Sequence, residues 1–454
     1  MTKLGFTLIV YVMVALLLMS CAFPQEKGAI NKVAKEIEEE ISWSWSNYRN
    51  YAWGARAINP ITGEGTEEYF NIPADTMLAY LPLLHLRGDR NGIEAILDYS
   101  TRLDPTPDEK RRLHDWFKYL AYWQFLYRIT GDRRIYDRMV ELGDSICDNA
   151  FNTSTNLFLE GDFNPKTGTV SGNFYPNSFT YLLNLVILSE MTDNPKYKDK
   201  VKAALDTMDL NLAKTGLPYP EYAPEDASAV SKTMDVCAVM SHCCEGLIKS
   251  YIVSGDETFR DRAEKYINAA YENAYDTKYN LFQKIDVDTG KVVDHSLLVY
   301  GEEMVVPLIL LGMVEEAETL FYSFLRHFHI YDWMQPEAIN YETREYDAKY
   351  PQWREFRLRP EIVDAARRLY AATRNDEIIF KMQEYFLAMK RYCKRRFGYI
   401  PVYVDTNEEV AHKVQPSYFI AETLPGLYRL FYLDSHHLES ILLDTWGMPI
   451  KGEE

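Results

Sequence analysis

Seven carboxylates, Asp75, Asp115, Asp235, Glu302, Glu303, Glu361 and Glu422, stand at or near the starts of apolar helical stretches. Proline marks several of these starts: Pro73 before Asp75, Pro176 before Asn177, Pro360 before Glu361 and Pro416 before Glu422. Proline suits a first helical position because its missing N–H has no partner there in any case. Acids favour the first turn through the helix dipole alone, so any one of these residues is ordinary. A ring of them at one end of a helical barrel is less ordinary. Carboxylates and aromatic faces around a pit are what glycosidic bond chemistry uses: an acid for the leaving oxygen, a base for water, and flat rings for sugars. The chain carries 34 tyrosines and is 14% aromatic, although most such rings serve helix packing.

The elements that must position these acids repeat. A corner follows an apolar helix at Leu86-Arg87-Gly88-Asp89, Ile129-Thr130-Gly131-Asp132, Met191-Thr192-Asp193-Asn194, Val253-Ser254-Gly255-Asp256, Leu311-Gly312, Ala372-Thr373-Arg374-Asn375 and Leu433-Asp434-Ser435. A left-handed residue closes one helix and the next Asp or Asn caps the following one. From Gly131 the corners recur at about 60 residues, a helix hairpin per repeat. Seven hairpins without a strand-rich stretch predict an all-α fold, an (α/α)7 barrel or helical toroid. An open solenoid is the competing arrangement, but it needs polar terminal caps, which the chain does not clearly show.

The chain has 454 residues, 47% hydrophobic, with 49 Lys+Arg against 67 Asp+Glu and a formal charge of −18. That apolar share excludes a disordered chain. The acidity, with no basic block, argues against nucleic acid and against an anionic membrane surface. Residues 1–20 read as an export signal, Lys3 followed by an apolar run from Leu4 to Met19. Leu18-Met19-Ser20-Cys21 resembles a bacterial lipobox, which makes Cys21 the lipidated residue, residues 21–34 a tether and residues 35–454 the barrel. An uncleaved anchor is the alternative. This places the protein outside the cytoplasm in the cell envelope, held at the membrane by lipid only. The remaining Cys147, Cys237, Cys243, Cys244 and Cys393 are too few for a disulfide scaffold.

Five stretches, in order, resemble glycoside hydrolase family 47, the class I α-1,2-mannosidases. They are Tyr48-Arg49-Asn50-Tyr51-Ala52-Trp53-Gly54, Asp75-Thr76-Met77, Leu358-Arg359-Pro360-Glu361-Ile362-Val363, Ser417-Tyr418-Phe419-Ile420-Ala421-Glu422-Thr423-Leu424, and Leu443-Asp444-Thr445-Trp446-Gly447-Met448-Pro449. The resemblance implies an (α/α)7 barrel and a calcium-dependent, inverting exo-glycosidase acting on α-mannoside glycans. It implies Glu361 as the general base, Arg359 as its positioner or a contact to a sugar hydroxyl, and Tyr418, where the family has Phe, as a stacking face. Glu422 would hold sugar hydroxyls or metal-bound waters, and Thr445 would supply oxygen to Ca2+.

The sequence also departs from the family. Counting back from the Gly131 corner, the family's proton-donor Glu falls on His114, beside Asp115, and its basic partner on Lys118. A second family Glu falls on Asn177, a catalytic Asp falls near Ser241 or His242, and the acid after the terminal Thr is replaced by Trp446. His114 or Asp115 is therefore the expected acid, although a one-residue shift turns a helical side chain by about 100°. Asp235 and His242, seven apart on one helix face, form another possible polar pair. A relative that binds mannose-containing glycans without hydrolysing them is the second reading. Phe158, Phe163, Tyr219 and Tyr222, in loops within 154–175 and 214–232, are either sugar platforms or loop packing.

Overall fold

The computed structural model describes residues 32–67, 72, 74–346, 351–433 and 435–451. The export signal, Cys21 and Pro73 lie outside the described residues. The chain opens with α1 (32–51), which begins inside the stretch read as a tether, with Val33 and Ala34 already buried. Paired helices follow: α2 (Asp75–Ala79) and α3 (Leu81–Leu86) with α4 (Arg90–Ser100), α5 (Leu113–Thr130) with α6 (Arg133–Asn149), and α7 (Phe179–Thr192) with α8 (Lys196–Leu210). Then come α9 (Val236–Ser254) with α10 (Glu257–Ala274), α11 (Val305–Leu310) with α12 (Val314–His327), α13 (Glu361–Thr373) with α14 (Asp376–Cys393), and α15 (Leu424–Tyr432) with the short α16 (Ser435–Ser440).

The first helix of each pair is inner and the second outer, and burial tells them apart. In α7 every residue from Phe179 to Ser189 is buried, as befits a helix packed on all sides. In α6 only Ile135, Met139, Leu142, Gly143, Ile146 and Cys147 are buried, one stripe at helical spacing. The helix α9 is long and apolar enough to cross a membrane, but 72% of that stretch is buried inside the protein. Gly246 lets it close on its neighbour, since a Cβ there would sit 2.2 Å from the Phe179 carbonyl oxygen.

The corners form as the sequence predicts. Gly88, Gly131, Asp193, Gly255, Gly312 and Arg374 have φ of 65, 67, 52, 70, 83 and 58°; Asp434 lies outside the described residues. Asp89, Asp132, Asp256 and Asn375 cap the outer helices through Gly92, Arg134, Thr258 and Glu377 N–H. The seventh outer place differs. α16 has only six residues, and α1 takes that place instead. It joins α14 through Lys390–Glu36 and Lys394–Glu40 and the junction of α2 and α3 through the Ser44–Tyr80 hydroxyl contact at 2.7 Å. The ring therefore closes between the two ends of the chain, and an open solenoid is excluded.

Strands are short antiparallel ladders in the connecting loops. One matters for the site. β1 (Leu442–Leu443) and β2 (Pro449–Lys451) form a hairpin, with Thr445 in its turn. Arg128 of α5 donates to the Pro449 carbonyl and fastens this hairpin against the inner ring. Cys147, Cys237, Cys243, Cys244 and Cys393 are all free and buried, which makes them core thiols.

Candidate active site

The barrel axis holds a cavity of about 310 Å3, at the lower end of the range for small-molecule sites. His114, Asp115 and Lys118 reach it from the start of α5, His242 from α9, and Tyr300 and Glu303 from the 3-10 turn Val299–Met304. Arg359, Pro360 and Glu361 come from the start of α13, Tyr418 and Glu422 from the turn before α15, and Thr445 and Trp446 from the hairpin. The residues singled out in the sequence, His114, Asp115, Arg359, Glu361, Tyr418, Glu422 and Thr445, are thus brought to one space.

Glu361 opens α13, and the segment before it is held in an unusual shape. Leu358 has φ 63°, a left-handed conformation uncommon for a branched apolar residue. Its carbonyl accepts from Thr423 Oγ1 at 2.8 Å and that of Arg359 from Tyr385 Oη at 3.1 Å. Such strain persists where the surroundings over-determine it. Arg359 and Glu361 do not form a helix-start ion pair. Arg359 forks onto Glu337, 3.0 Å from Nε and 2.6 Å from Nη2, and also donates to Tyr300 Oη at 2.8 Å. Its guanidinium lies over the Tyr300 and Tyr418 rings, so one face of Tyr418 is already occupied. The Glu361 Oε2 atom is buried without a hydrogen-bond partner. Burial pushes its carboxyl up to about 7, against the pull of Arg359.

The cavity floor is built by a π-helical turn, Phe419–Thr423, and the hairpin. π-turns recur at functional sites because the extra residue re-aims a side chain; here the turn carries Glu422. Burial, together with the nearby Glu361 charge, raises the Glu422 carboxyl well above the ordinary range, with Lys118 opposing. Lys118 is itself held by Asp75 at 3.2 Å, and Tyr122 Oη lies 3.3 Å from the same carboxylate. In the hairpin, Asp444 Oδ1 accepts from Trp446 and Met448 N–H at 2.9 Å each. Thr445 Oγ1 donates to the Thr180 carbonyl and lies 2.6 Å from Thr180 Oγ1. Because the Thr445 proton is spent on the carbonyl, Oγ1 accepts from Thr180 and keeps one lone pair.

That donor set bears on the calcium that the resemblance implies. Among the described residues no group of three or more His, Cys, Asp or Glu is arranged to hold a metal. The floor instead offers oxygen from Thr445 with the Glu422 carboxylate lining the same cavity. Oxygen donors and few protein ligands suit a hard cation that keeps water in its shell, so the residues present fit the ion.

On the remaining walls, His114 Nδ1 lies 3.5 Å from Asp115 Oδ1, and the His114 ring meets Trp446 and Tyr181 edge-on. Asp235 and His242 do not pair. Asp235 caps α9, accepting from Ala238 N–H and from Leu298 N–H, which fixes it in the backbone. His242 turns the other way and places Nε2 3.2 Å from Glu303 Oε2. Glu302 is also absent from the cavity lining and is bonded to His329 at 2.7 Å and Gln335 at 3.0 Å. Phe158, Phe163 and Tyr222 are buried, and the half-buried Tyr219 donates its hydroxyl to Asp288, so these rings pack loops rather than forming platforms.

Sequence reasoning did not find Glu337, which governs Arg359, or the His242–Glu303 contact. Nor did it find the buried pair Glu245–Lys249 or the partly buried pair Asp364–Arg367. The i,i+4 spacing of Glu245 and Lys249 inside an apolar run was a usable signal. Glu337, in a connecting loop, carried none.

The profile of Glycosyl hydrolase family 47 matches residues 40–451. The chain is 24% identical over 449 residues to mannosyl-oligosaccharide 1,2-alpha-mannosidase MNS1 of Arabidopsis thaliana, spanning 92% of this chain and 78% of that protein. It is 25% identical over 464 residues to mannosyl-oligosaccharide alpha-1,2-mannosidase IA of Drosophila melanogaster, spanning 92% and 67%. The solved alpha-1,2-mannosidase from Trichoderma reesei superposes with a TM-score of 0.77 at 15% identity, covering 93% of this chain and 99% of that one. With the family profile running from α1 to the terminal hairpin and the same toroid underneath, the chain belongs to glycosyl hydrolase family 47 and adopts its (α/α)7 barrel.

Proposed function

We propose that the chain is a calcium-dependent, inverting exo-glycosidase that hydrolyses α-mannosides in glycan breakdown. The observation that carries this reading is the setting of Glu361. Its carboxyl is buried, with Oε2 left without a hydrogen-bond partner, and the residue lines the same cavity as Thr445 and Trp446 of the floor. A closed floor admits the terminal sugar of a chain and excludes internal ones. The names of the relatives supply the sugar and the linkage class.

Glu361 takes a proton from water as the water oxygen bonds to the anomeric carbon. The glycosidic oxygen leaves with a proton from another wall, where the sequence points to Asp115 and His114. A separation of about 6.5–9.5 Å between acid and base leaves room for that water. Arg359 is locked to Glu337 and Tyr300 and so presents a fixed charge to a sugar hydroxyl. Calcium, held by Thr445 with waters ordered by Glu422, would supply a fixed positive charge that binds vicinal sugar hydroxyls. Lipidation at Cys21 would hold this domain at the membrane of the cell envelope, and the mass of the mature N-terminus tests that.

A glycan binder without turnover is the second reading. It is favoured by His114 standing where the family's donor Glu is expected. Hydrolysis of α-1,2-mannobiose, lost with chelator and lost in Glu361→Gln, supports the enzyme. Mannoside binding by calorimetry with no product after long incubation supports the binder.

A further inference from the structure

The His242–Glu303 contact has a proton count that the rest of the site lacks. His242 Nδ1 lies 3.0 Å from the Ala238 carbonyl and 3.1 Å from Ser241 Oγ. The carbonyl only accepts, and the Ser241 hydroxyl has the Tyr300 carbonyl to donate to at 3.2 Å, so Nδ1 carries the hydrogen. In the neutral ring Nε2 is then bare. Glu303 Oε2 lies 3.2 Å from it, and two acceptors do not meet at that distance without a hydrogen between them. Whether the hydrogen sits on the carboxyl or on the ring, the pair holds one proton more than a carboxylate beside a neutral histidine.

The surroundings keep that proton in place. Both side chains are 17% exposed and both line the cavity. Glu303 is faced by Glu245, Lys249 and His242 from α9 and by Glu361 from α13; burial first, then the Glu245 and Glu361 charges, raise its carboxyl well above the ordinary range. Burial lowers the His242 ring. Asp115 differs: it lies near Lys118, and its histidine neighbour is 3.5 Å away and 42% exposed.

We propose that Glu303, positioned by His242, is the general acid that protonates the leaving oxygen, taking the place of the family's donor at His114. This rests on the α-mannosidase reading above. The proton of the pair passes from Glu303 to the glycosidic oxygen as the bond from that oxygen to the anomeric carbon breaks, leaving Glu303 as carboxylate. Water bonds to the same carbon and gives its proton to Glu361. Solvent returns a proton to Glu303 and removes one from Glu361, so the enzyme is unchanged after each turnover.

The test compares two substrates that differ in their need for an acid. α-1,2-Mannobiose needs a protonated leaving group; α-mannosyl fluoride does not. Glu303→Gln is expected to lose about a hundredfold or more in kcat on mannobiose and to stay within about tenfold of wild type on the fluoride. His242→Gln, which removes the positioning contact, is expected to show the same pattern at smaller size. Asp115→Asn, in the same cavity, is expected to affect both substrates to the same degree. Equal losses on both substrates in folded Glu303→Gln and His242→Gln, full mannobiose activity in either, or a mannobiose-selective loss in Asp115→Asn overturns the assignment. Thermal unfolding of each variant separates loss of fold from loss of acid, and if Glu303→Gln does not fold, His242→Gln decides. Wild type that turns over neither substrate overturns the mannosidase reading itself, and this proposal with it.

Discussion

Arg359 makes its ion pair with Glu337 rather than with Glu361, through two hydrogen bonds at 3.0 and 2.6 Å. The consequence is chemical. An arginine paired directly with Glu361 would hold that carboxylate ionised and weaken it as a base. Held on Glu337, the guanidinium still orders the entrance to α13 while Glu361 titrates at about 7. As the proposed base, Glu361 works only when ionised, so kcat/KM is expected to rise with pH through about 7. In Glu337→Gln the Glu337 charge no longer raises Glu361 and Arg359 is freed to approach it. Both changes move the rising limb to lower pH, by roughly half a unit to one unit. A pH–rate profile of the two proteins checks the sign.

The same carboxyl has a cost in stability. Its folded pKa is raised above the unfolded value, so its contribution is favourable below about 4.5 and is lost as pH rises through about 7. Glu361→Gln is therefore expected to raise stability at pH 8 by on the order of 1–3 kcal/mol and to change little at pH 4. Urea unfolding at the two pH values measures the difference. A variant destabilised at pH 8 would mean that the carboxylate is paired.

Calcium is expected to raise the melting temperature of the wild-type protein, and chelation to abolish hydrolysis. Thr445→Val keeps the side-chain volume and removes the oxygen. It should lose most of the calcium-dependent shift while retaining the fold, because the hairpin is also held by Asp444 and Arg128. Thermal scans with and without chelator distinguish this from a general effect of the ion.

Gly447 sets how closely the hairpin meets the π-turn. It has φ 70°, and a Cβ there would lie 2.5 Å from the Ala421 carbonyl oxygen and 2.8 Å from Glu422 Cγ. Gly447→Ala is expected to cost about 2–4 kcal/mol, combining the strained backbone and the overlap. It should also displace Glu422 and lower activity even where the protein stays folded, which unfolding midpoints and kcat at a permissive temperature would show.

Local chemistry makes much of this protein legible along the chain. The corners at Gly88, Gly131, Gly255 and Gly312 are readable because only a left-handed residue ends a helix that way, and such residues are few. Glu361, Glu422 and Thr445 sit in contiguous motifs whose neighbours travel with them. The closure of the ring by α1 was not legible, because it depends on contacts between Lys390 or Lys394 and acids more than 350 residues away in sequence. The partners of the charged groups were hidden for the same reason. Asp235 and His242 share a helix face, yet the N-terminal geometry of α9 binds Asp235 to backbone, and His242 is left for a glutamate on the next inner element. Helix period and turn chemistry are properties of neighbours along the chain, so the sequence alone determined the repeated helix hairpins and the motifs that carry Glu361, Glu422 and Thr445. Which acid faces which base depends on distances across the barrel, and only the packed ring decided that.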